Sequence, residues 1–344
     1  MKKRVSIGDV AAMAEVSITT VSRVINDTGY PVSAQVRDRV LAAVDALHYS
    51  PNMAAQRLRD DFNRVIGLIV RDISNGFFGE IAKGATERAM ELGYLCFVCN
   101  TGRDIVKEME FHELLWRNRV RGIVLVGGGI DTPEYQELME NQVKRCSRFD
   151  LRIIANSPQG VNVPLVSIDI REIVAMITNY FLDHGHRVIG LITGEQGVLT
   201  SQIHRESFMR TMAERSVKVY PELIKFEAFT EQNGYARCME LLRHTPRPTA
   251  ICCGCDPIAA GAIHALNDAG LEVPRDVSLI SIGDTPLAAH LRPALTSVHM
   301  PRYSMGARAI ELLLSNEKIE DSYIEYLPVQ FYERESVRTL DLRG

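Results

Sequence analysis

The feature that most restricts the fold is the run from residue 64 onward, where short apolar stretches of strand length alternate with amphipathic stretches of helix length. The first series predicts strands at 65–70, 94–101, 122–128, 152–156 and 165–169, with helices near 79–92, 104–118 and 133–146. The second predicts strands at 188–193, 225–229, 249–254, 277–283 and 295–301, helices near 171–184, 204–215, 232–243 and 257–269, then a helix at 302–315 and a strand near 324–332. This pattern predicts an α/β core of two doubly wound parallel-sheet lobes, with ligands bound at the carboxyl ends of the strands.

The first 59 residues have a different pattern, which predicts three short helices. Ser6 followed by Asp9 is a capping box at the start of the first helix. A connection of about three residues, 15–17, leads to the second helix, and the third begins at Ser33. The apolar stripe of the first helix consists of Val10, Ala11 and Ala14. That of the third helix consists of Val36, Val40, Val44 and Leu47.

The second helix, within residues 16–26, carries the surface with the clearest chemistry. Ser17 is a good N-cap, and the apolar face consists of Val21, Val24 and Ile25. The opposite face is small, polar and arginine-bearing, and consists of Ile18, Thr19, Ser22, Arg23 and Asn26. A short helix of this kind fits the major groove of DNA, although the same periodicity is also that of a small helical bundle without a ligand.

The charge is unevenly distributed along the chain, whose net charge is −4. Residues 1–59 hold eight Lys or Arg and five acids, a surplus of three positive charges, so the remainder carries −7. A basic head on an acidic body fits a protein that binds an anionic polymer at one end. The longest apolar runs are only of strand length, and no apolar segment follows the basic N-terminus, so we expect no membrane span, no secretory signal and a cytoplasmic location.

Motifs of catalysis and of cofactor binding do not occur in the sequence. The stretch Gly127–Gly129 is the nearest approach to GxGxxG but lacks the third glycine, and there is no P-loop, GxSxG or HExxH. The pair Cys96 and Cys99 and the cluster at 252–255 lie in strand-like runs, where residues three apart point to opposite faces. We interpret them as reduced, buried thiols, and predict no enzyme, no catalytic residue, no metal and no cofactor.

Two long strings resemble the DNA-binding headpiece of the lactose-repressor (LacI/GalR) family: SIGDVAAMAEVSITTVSRVIN at 6–26 and VSAQVRDRVLAAVDALHYSPNMAAQRL at 32–58. Glu15, where the family often has Gly, and Val36, where Thr is common, depart from the pattern outside the predicted reading face. The resemblance continues through the core in the segments 74–80, 91–94, 183–190 and 273–278.

The resemblance implies an all-α helix-turn-helix headpiece with a hinge helix (1–59, the hinge at about 52–59), a linker at 60–63 and an effector-binding, dimerisation core at 64–344. The core would resemble periplasmic sugar-binding proteins, with two lobes joined by three crossovers. Lobe one is expected at about 64–163 and 296–324, and lobe two at about 164–295 and 325–344. No heptad pattern follows the last predicted strand, which favours a homodimer.

The resemblance also implies how operator DNA is read. We expect Ile18 and Thr19 to lie against base edges and Arg23 to make a bidentate contact with guanine, while paired hinge helices insert Leu58 into the minor groove. The candidate DNA-contacting residues are Ser6, Ser17, Ile18, Thr19, Thr20, Ser22, Arg23, Asn26, Asn52, Ala55 and Leu58.

The effector site is where the sequence departs from the family. Family members commonly place Arg, Asn and Asp where this chain has His204, Cys255 and Gly283, so three groups that hold sugar hydroxyls are replaced. The candidate effector-binding residues are Phe77, Phe78, Asn156, Thr200, His204, Phe229, Cys255, Asp256 and Asp284. Asp256 and Asp284 also fit the role of a helix cap or turn residue, and Phe77 and Phe78 also fit ordinary core packing. His204 fits two roles, an anion-binding group when protonated or a neutral buried side chain.

The function that these features imply is a sequence-specific transcriptional regulator, expected to be a repressor. It would bind a pseudo-palindromic operator as a homodimer, associate with the nucleoid through DNA, and respond to a sugar-like or related metabolite in the cleft. The alternative from another class is a metabolite-binding sensor without sequence-specific DNA readout, and a regulator controlled by a protein partner is a third.

Overall fold

A computed structural model describes residues 5–25, 30–49 and 64–340. The chain divides into two compact units, one ending at Asn63 and the other beginning at Arg64. Among the described residues, no helix is both long enough and apolar enough to cross a membrane. The predicted hinge helix and the predicted linker, residues 52–63, lie outside the described residues.

In residues 5–25 and 30–49 of the N-terminal unit the structure has three helices, as the sequence predicts: α1 (Ile7–Met13), α2 (Ile18–Ile25) and α3 (Ala34–Ala46). They share one apolar cluster, built from Val10, Ala11, Ala14, Val21, Val24, Val40 and Ala43. Val36, Val44 and Leu47, predicted to be buried, are only half-buried, because a unit this small has little interior. Each helix is too short to persist alone in water, so the cluster stabilises all three.

The first sheet of the core contains six parallel strands in the order β11-β5-β4-β3-β1-β2. The strands are β1 (Val65–Val70), β2 (Leu95–Asn100), β3 (Gly122–Val126), β4 (Arg152–Ala155), β5 (Leu165–Ser167) and β11 (Ile324–Tyr326). The helices of this lobe are α4 (Gly76–Glu91), α5 (Ile105–Arg117), α6 (Pro133–Arg148) and α12 (Arg302–Leu314). Alternate residues of β1 are buried under α4 and α12 on one face and under α5 and α6 on the other.

The second sheet has the order β12-β10-β9-β8-β6-β7, and only β12 is antiparallel to its neighbour. Its strands are β6 (Ile189–Thr193), β7 (Ile224–Phe226), β8 (Ala250–Cys253), β9 (Ser278–Gly283), β10 (Thr296–His299) and β12 (Gln330–Tyr332). Its helices are α7 (Ile170–Asp183), α8 (Leu199–Glu214), α9 (Glu231–Leu241), α10 (Asp256–Asp268) and α11 (Pro286–His290), with a 3₁₀ turn at Pro221–Leu223.

The lobe boundaries differ from the prediction, because each crossover lies later in the chain. β5 belongs to the first sheet and β10 to the second, opposite to the predicted assignment. The single strand predicted at 324–332 is two strands, β11 and β12, in different sheets, with Pro328 between them. An apolar run of strand length pairs equally well with either sheet, so its periodicity does not indicate which one it joins.

One close helix pair in each lobe depends on glycine. A Cβ atom on Gly84 of α4 would lie 2.0 Å from the carbonyl oxygen of Tyr303, and one on Gly306 of α12 would lie 1.9 Å from that of Ile81. In the other lobe, a Cβ on Gly261 of α10 would lie 1.9 Å from the carbonyl oxygen of Glu231. These helices approach at backbone distance and hold the walls of the cleft in place.

Candidate functional site

The first helix of the N-terminal unit begins with the predicted capping box. The Asp9 amide donates to the Ser6 hydroxyl at 3.3 Å, and the Ser6 amide donates to the Asp9 carboxylate at 2.7 Å. The Ser6 hydroxyl also donates to that carboxylate at 2.6 Å. Ser6, a candidate DNA-contacting residue, therefore first serves to start α1.

The turn between α1 and α2 is short and well bonded. Glu15 has φ 52°, the left-handed conformation that explains why glycine suits this position. The Val16 amide donates to the carbonyl of Ala11 at 3.0 Å. Ser17 accepts the amide of Thr20 at 3.1 Å, as an N-cap should, and its hydroxyl also lies 2.8 Å from that of Thr20. The turn thus fixes the angle at which α2 leaves α1.

The predicted reading face of α2 points away from the apolar cluster. Val21 and Val24 are buried, whereas Thr19 and Arg23 are exposed and Ile18 is 54% exposed. Thr20 and Ser22 are half-buried. An exposed isoleucine beside small polar side chains is a surface suited to the methyl groups and polar edges of bases.

The Arg23 side chain lies over the ring of Tyr30, with its guanidinium carbon 4.7 Å from the ring centroid. A cation–π contact restrains a long side chain while leaving its N–H groups available for a base. The other candidate DNA-contacting residues, Asn26, Asn52, Ala55 and Leu58, lie outside the described residues.

In the core, a cavity of about 320 Å³ lies between the two lobes at the carboxyl ends of the strands, as the sequence predicts for this fold. Its size is at the lower end of the range for small-molecule sites. The predicted residues that line it are Phe77, Phe78, Asn156, Thr200, His204, Phe229, Cys255 and Asp256.

Asp284, the ninth predicted residue, is not among the cavity-lining residues. Its carboxylate accepts from the Arg334 guanidinium at 2.6 Å and lies 3.5 Å from His299 Nδ1. Its backbone amide is also occupied, because it donates to the Ser297 hydroxyl at 3.1 Å. Asp284 has φ 52° and closes the turn after β9, so the cap-or-turn interpretation describes it.

Asp256 lines the cavity but its carboxylate is occupied. One oxygen accepts the Ser281 hydroxyl at 2.6 Å, and the other accepts the amide of Thr285 at 2.6 Å and its hydroxyl at 2.7 Å. A Cβ atom on Gly283 would lie 3.1 Å from Asp256 Oδ2. The absent side chain at position 283 therefore leaves room for a carboxylate that holds the cavity wall.

His204 is buried and neutral. Its Nδ1 lies 2.7 Å from the Thr193 hydroxyl, and burial lowers the pKa of His204 from 6.5 to about 4. Of the two roles that the sequence left open, the neutral one fits this environment, because an uncharged ring at pH 7 attracts no anion.

The seven cysteines are all free, and burial raises the pKa of every one of these thiols. In the part of the chain that the structure describes, no group of three or more His, Cys, Asp or Glu side chains is placed to hold a metal. Cys252 and Cys253 are packed in two different apolar clusters of the core. The interpretation of the thiols as buried is wrong for Cys96, Cys99 and Cys255, which are half-buried.

Two arginines that the sequence analysis did not single out also line the cavity, Arg103 and Arg302. Arg302, the first residue of α12, donates from Nε to Glu80 at 2.5 Å and from Nη1 to the carbonyl of Gly283 in the other lobe. Arg103 follows β2, and its Nε lies 3.9 Å from Glu195 in the other lobe. No local sequence pattern identifies either arginine, because each is brought to the cavity by the packing of segments that are far apart in the sequence.

The lobes also touch through the backbone on one side of the cleft. Ile130 and Val198 form an antiparallel bridge. The Asp131 amide donates to the carbonyl of Gly197 at 2.6 Å, and the Leu199 amide donates to that of Gly129 at 3.0 Å. These contacts enclose the cavity and place the start of α8 over it.

Comparisons with known proteins cover almost the whole chain. Residues 6–52 match the family described as bacterial regulatory proteins, lacI family, and residues 178–337 match the periplasmic binding protein-like domain. The HTH-type transcriptional repressor PurR of Pasteurella multocida (strain Pm70) is 32% identical over 336 residues, covering 97% of this chain and 99% of the relative. PurR of Escherichia coli O139:H28 is 32% identical and covers 96% of both chains.

Solved structures share the fold. The Lac repressor dimer bound to operator and the anti-inducer ONPF has a TM-score of 0.85 at 22% identity, covering 98% of this chain and all of that one. The complex of transcriptional regulator CelR with cellobiose has a TM-score of 0.69 at 24% identity, covering 97% of this chain and all of that one.

Proposed function

Because this chain belongs to the LacI family of bacterial regulatory proteins, we propose that its N-terminal unit reads a pseudo-palindromic operator and that a small molecule in the core cavity controls this binding. The family is one of DNA-binding transcriptional repressors with an effector-binding core, and the chain is such a regulator. The observation that carries the proposal is the outward face of α2, where Ile18, Thr19 and Arg23 are exposed on a helix held by a bonded turn.

In the proposed complex, α2 lies in the major groove. Ile18 and Thr19 contact base edges near its N-terminal turn, and Arg23 donates two hydrogen bonds to guanine, a contact worth about 1–3 kcal/mol of discrimination. Ser22 and Asn26 fix the register on phosphates, and Leu58 of the hinge segment is inserted at the operator centre. The roles of Asn26 and Leu58 rest on the family motif alone, because both residues lie outside the described part of the chain.

A homodimer is the proposed assembly, because two copies of α2 must face two half-sites. An exposed apolar edge on lobe one supports this assembly. β2 is an edge strand of the first sheet, and its Leu95, Phe97 and Val98 are 66%, 48% and 44% exposed. Exposed apolar strand edges are normally covered, and a second copy of the chain would cover this one.

The cavity is the proposed effector site, since it is enclosed by both lobes and lies at the carboxyl ends of their strands. A ligand there contacts groups that also join the lobes, such as Arg302, which bonds the Gly283 carbonyl. Binding would therefore shift the angle between the lobes and with it the placement of the hinge segments, a coupling of about 1–3 kcal/mol in typical cases. A sugar-like effector stays a prediction from the family.

The proposal is tested by selecting operators from a randomised duplex pool at about 150 mM salt, followed by sequencing. We expect a palindrome, and we expect the Arg23→Ala variant to lose preference at one base pair in each half-site. The matched control is Arg39→Ala, which removes a half-exposed arginine of α3 that pairs with Glu15 at 3.9 Å. An unchanged motif with Arg23→Ala would remove that residue from the reading role.

Enrichment of no sequence, with salt-sensitive binding to any DNA, would instead favour the metabolite sensor that lacks sequence readout. The match of residues 6–52 to the family headpiece argues against that alternative.

A further inference from the structure

The cavity wall is mainly apolar on both sides. Phe77 comes from the start of α4 in lobe one, and Phe229 from the loop before α9 in lobe two. Ile168, Ile282, Met300 and Met305 add to the apolar wall. A ligand hydroxyl placed against these side chains would lose its hydrogen bonds to water without replacing them, at a cost that rises with each hydroxyl.

Most polar side chains in the wall are already bonded to the protein. The carboxylate of Asp256 accepts from Ser281 and Thr285. His204 shares a hydrogen bond with Thr193, and the Ser167 hydroxyl donates to the carbonyl of Asn156 at 3.0 Å. These groups are therefore not free to bind a polyhydroxylated ligand.

Two buried polar atoms of cavity-lining residues have no hydrogen-bond partner among the described residues, Asn156 Oδ1 and Arg103 Nη1, and only Arg103 carries a charge. Gly102 and Arg103 both have left-handed backbone, with φ 62° and 64°, and the Arg103 amide donates to the Thr101 hydroxyl at 3.2 Å. The Nη1 atom is buried and has no hydrogen-bond partner among the described residues. Its carboxylate neighbour, Glu195, lies 3.9 Å from Nε, at the limit of an ion pair. A buried guanidinium nitrogen without a partner is costly unless an acceptor is supplied.

The charged side chains of the cavity wall also favour an anionic ligand. Arg103, Arg302 and Asp256 are its charged side chains, and His204 is neutral, so the wall carries one net positive charge. Arg302 is 3% exposed and already pairs with Glu80 at 2.5 Å. Arg103 is the more loosely paired of the two arginines, because its Nε lies 3.9 Å from the carboxylate of Glu195.

We propose that the effector is a small monocarboxylic acid with an aromatic or branched apolar body. The carboxylate takes two parallel hydrogen bonds from the Arg103 guanidinium, and the apolar body packs between Phe77 and Phe229. This inference rests on the proposed function, since it assigns the chemical class of the effector. It has one consequence for control: the ligand competes with Glu195 for Arg103, so its binding changes a contact between the lobes.

The test is thermal unfolding of the full-length protein with a panel of acids, each paired with its amide. The panel is headed by benzoate, phenylacetate and 3-methylbutanoate, with benzamide, phenylacetamide and 3-methylbutanamide as neutral partners and glucose and ribose as sugars. We expect at least one acid to raise Tm by about 4 °C at about a hundred times its Kd, and its amide to give no shift.

Two variants locate the effect. Arg103→Met keeps an apolar stem of similar length and is expected to abolish the shift by the acid. Arg119→Met is the matched control, because Arg119 is an exposed arginine with the same left-handed backbone, φ 50°, and it does not line the cavity. Its shift should equal that of the unchanged protein.

Three outcomes would overturn the inference: stabilisation by sugars only, stabilisation by no acid of the panel, or an acid shift that Arg103→Met retains. The operator selection described above is run in parallel. If an operator is selected while the acids fail, the proposed function stands and only the effector class is wrong. If no operator is selected with or without the acids, the proposed function itself fails.

Discussion

Mild acid should destabilise the core through three buried histidines, His112, His186 and His204. Burial lowers the pKa of each from 6.5 to about 4. Between these two pH values the unfolded chain binds more protons than the folded one, so stability rises with pH and falls as the pH is lowered. From pH 7 to pH 5 the loss is about 2 kcal/mol for each histidine, and about 5–6 kcal/mol for the three together.

Replacement of His112 tests this expected loss of stability most directly. His112 is 1% exposed on α5, and neither ring nitrogen has a hydrogen-bond partner in the described part of the structure. The nearby charge of Arg71 lowers its pKa further, after burial. His112→Leu therefore loses no hydrogen bond at pH 7 and should remove about a third of the acid effect, or about 2 kcal/mol between pH 7 and pH 5.

The assay is urea unfolding at pH 7, 6 and 5, with the midpoint and the m-value compared at each pH. The control is Met139→Leu, which changes a buried side chain that does not ionise and should leave the slope with pH unchanged. Carboxylates with a lowered pKa, such as Glu113 and Glu325, lose their contribution only below their ordinary values, so they add little above pH 5. A free energy of unfolding that stays flat from pH 7 to pH 5, or a His112→Leu slope equal to that of the unchanged protein, would refute the reasoning.

Three further results are expected. Glu108→Gln should lower the free energy of unfolding by about 3–5 kcal/mol in urea titrations, because it leaves the buried Arg71 without its carboxylate; the double change with Arg71→Met should recover most of this loss. Gly84→Ala should cost about 1–3 kcal/mol by the same measurement, because its Cβ would meet the backbone of α12, whereas Gly76→Ala in the same helix meets nothing within 4 Å. The four buried thiols, those of Cys146, Cys238, Cys252 and Cys253, should react slowly with a disulfide reagent at pH 8 until the protein is unfolded, because burial raises the pKa of each; rapid labelling of these four in the folded chain would contradict their assignment as buried.

The elements that local pattern encodes could be predicted from the sequence. The Ser6–Asp9 capping box and the Ser17 cap depend on residues three apart, and both appear in the structure. The central strands β1, β3 and β8 are short, fully apolar runs, which is what burial on both faces requires. Lobe membership was wrong for β5 and β10, because it depends on pairing between strands far apart in the sequence.

The candidate cavity shows the same division between local and long-range information. Its predicted residues come from motif positions, and eight of the nine line it. Asp256 and Asp284 each follow a strand of the second sheet, yet only Asp256 lines the cavity, because the turn after β9 directs Asp284 toward Arg334. The sequence analysis did not identify Arg103. Neither the left-handed backbone of Gly102 and Arg103 nor the position of the opposite lobe can be predicted from a local pattern.

The replaced family positions therefore do more than remove hydrogen bonds. Gly283 leaves room beside Asp256, whose carboxylate then binds Ser281 and Thr285 and becomes part of the wall. His204 in place of an arginine removes a positive charge from one side of the cavity, and Arg103 supplies one from the other lobe. A guanidinium that reaches across the cleft to Glu195 at 3.9 Å can bind either that carboxylate or a ligand's. With an acid as the effector, as proposed above, Arg103 would exchange Glu195 for the ligand carboxylate when the cavity fills. That exchange would couple ligand binding to the angle between the lobes.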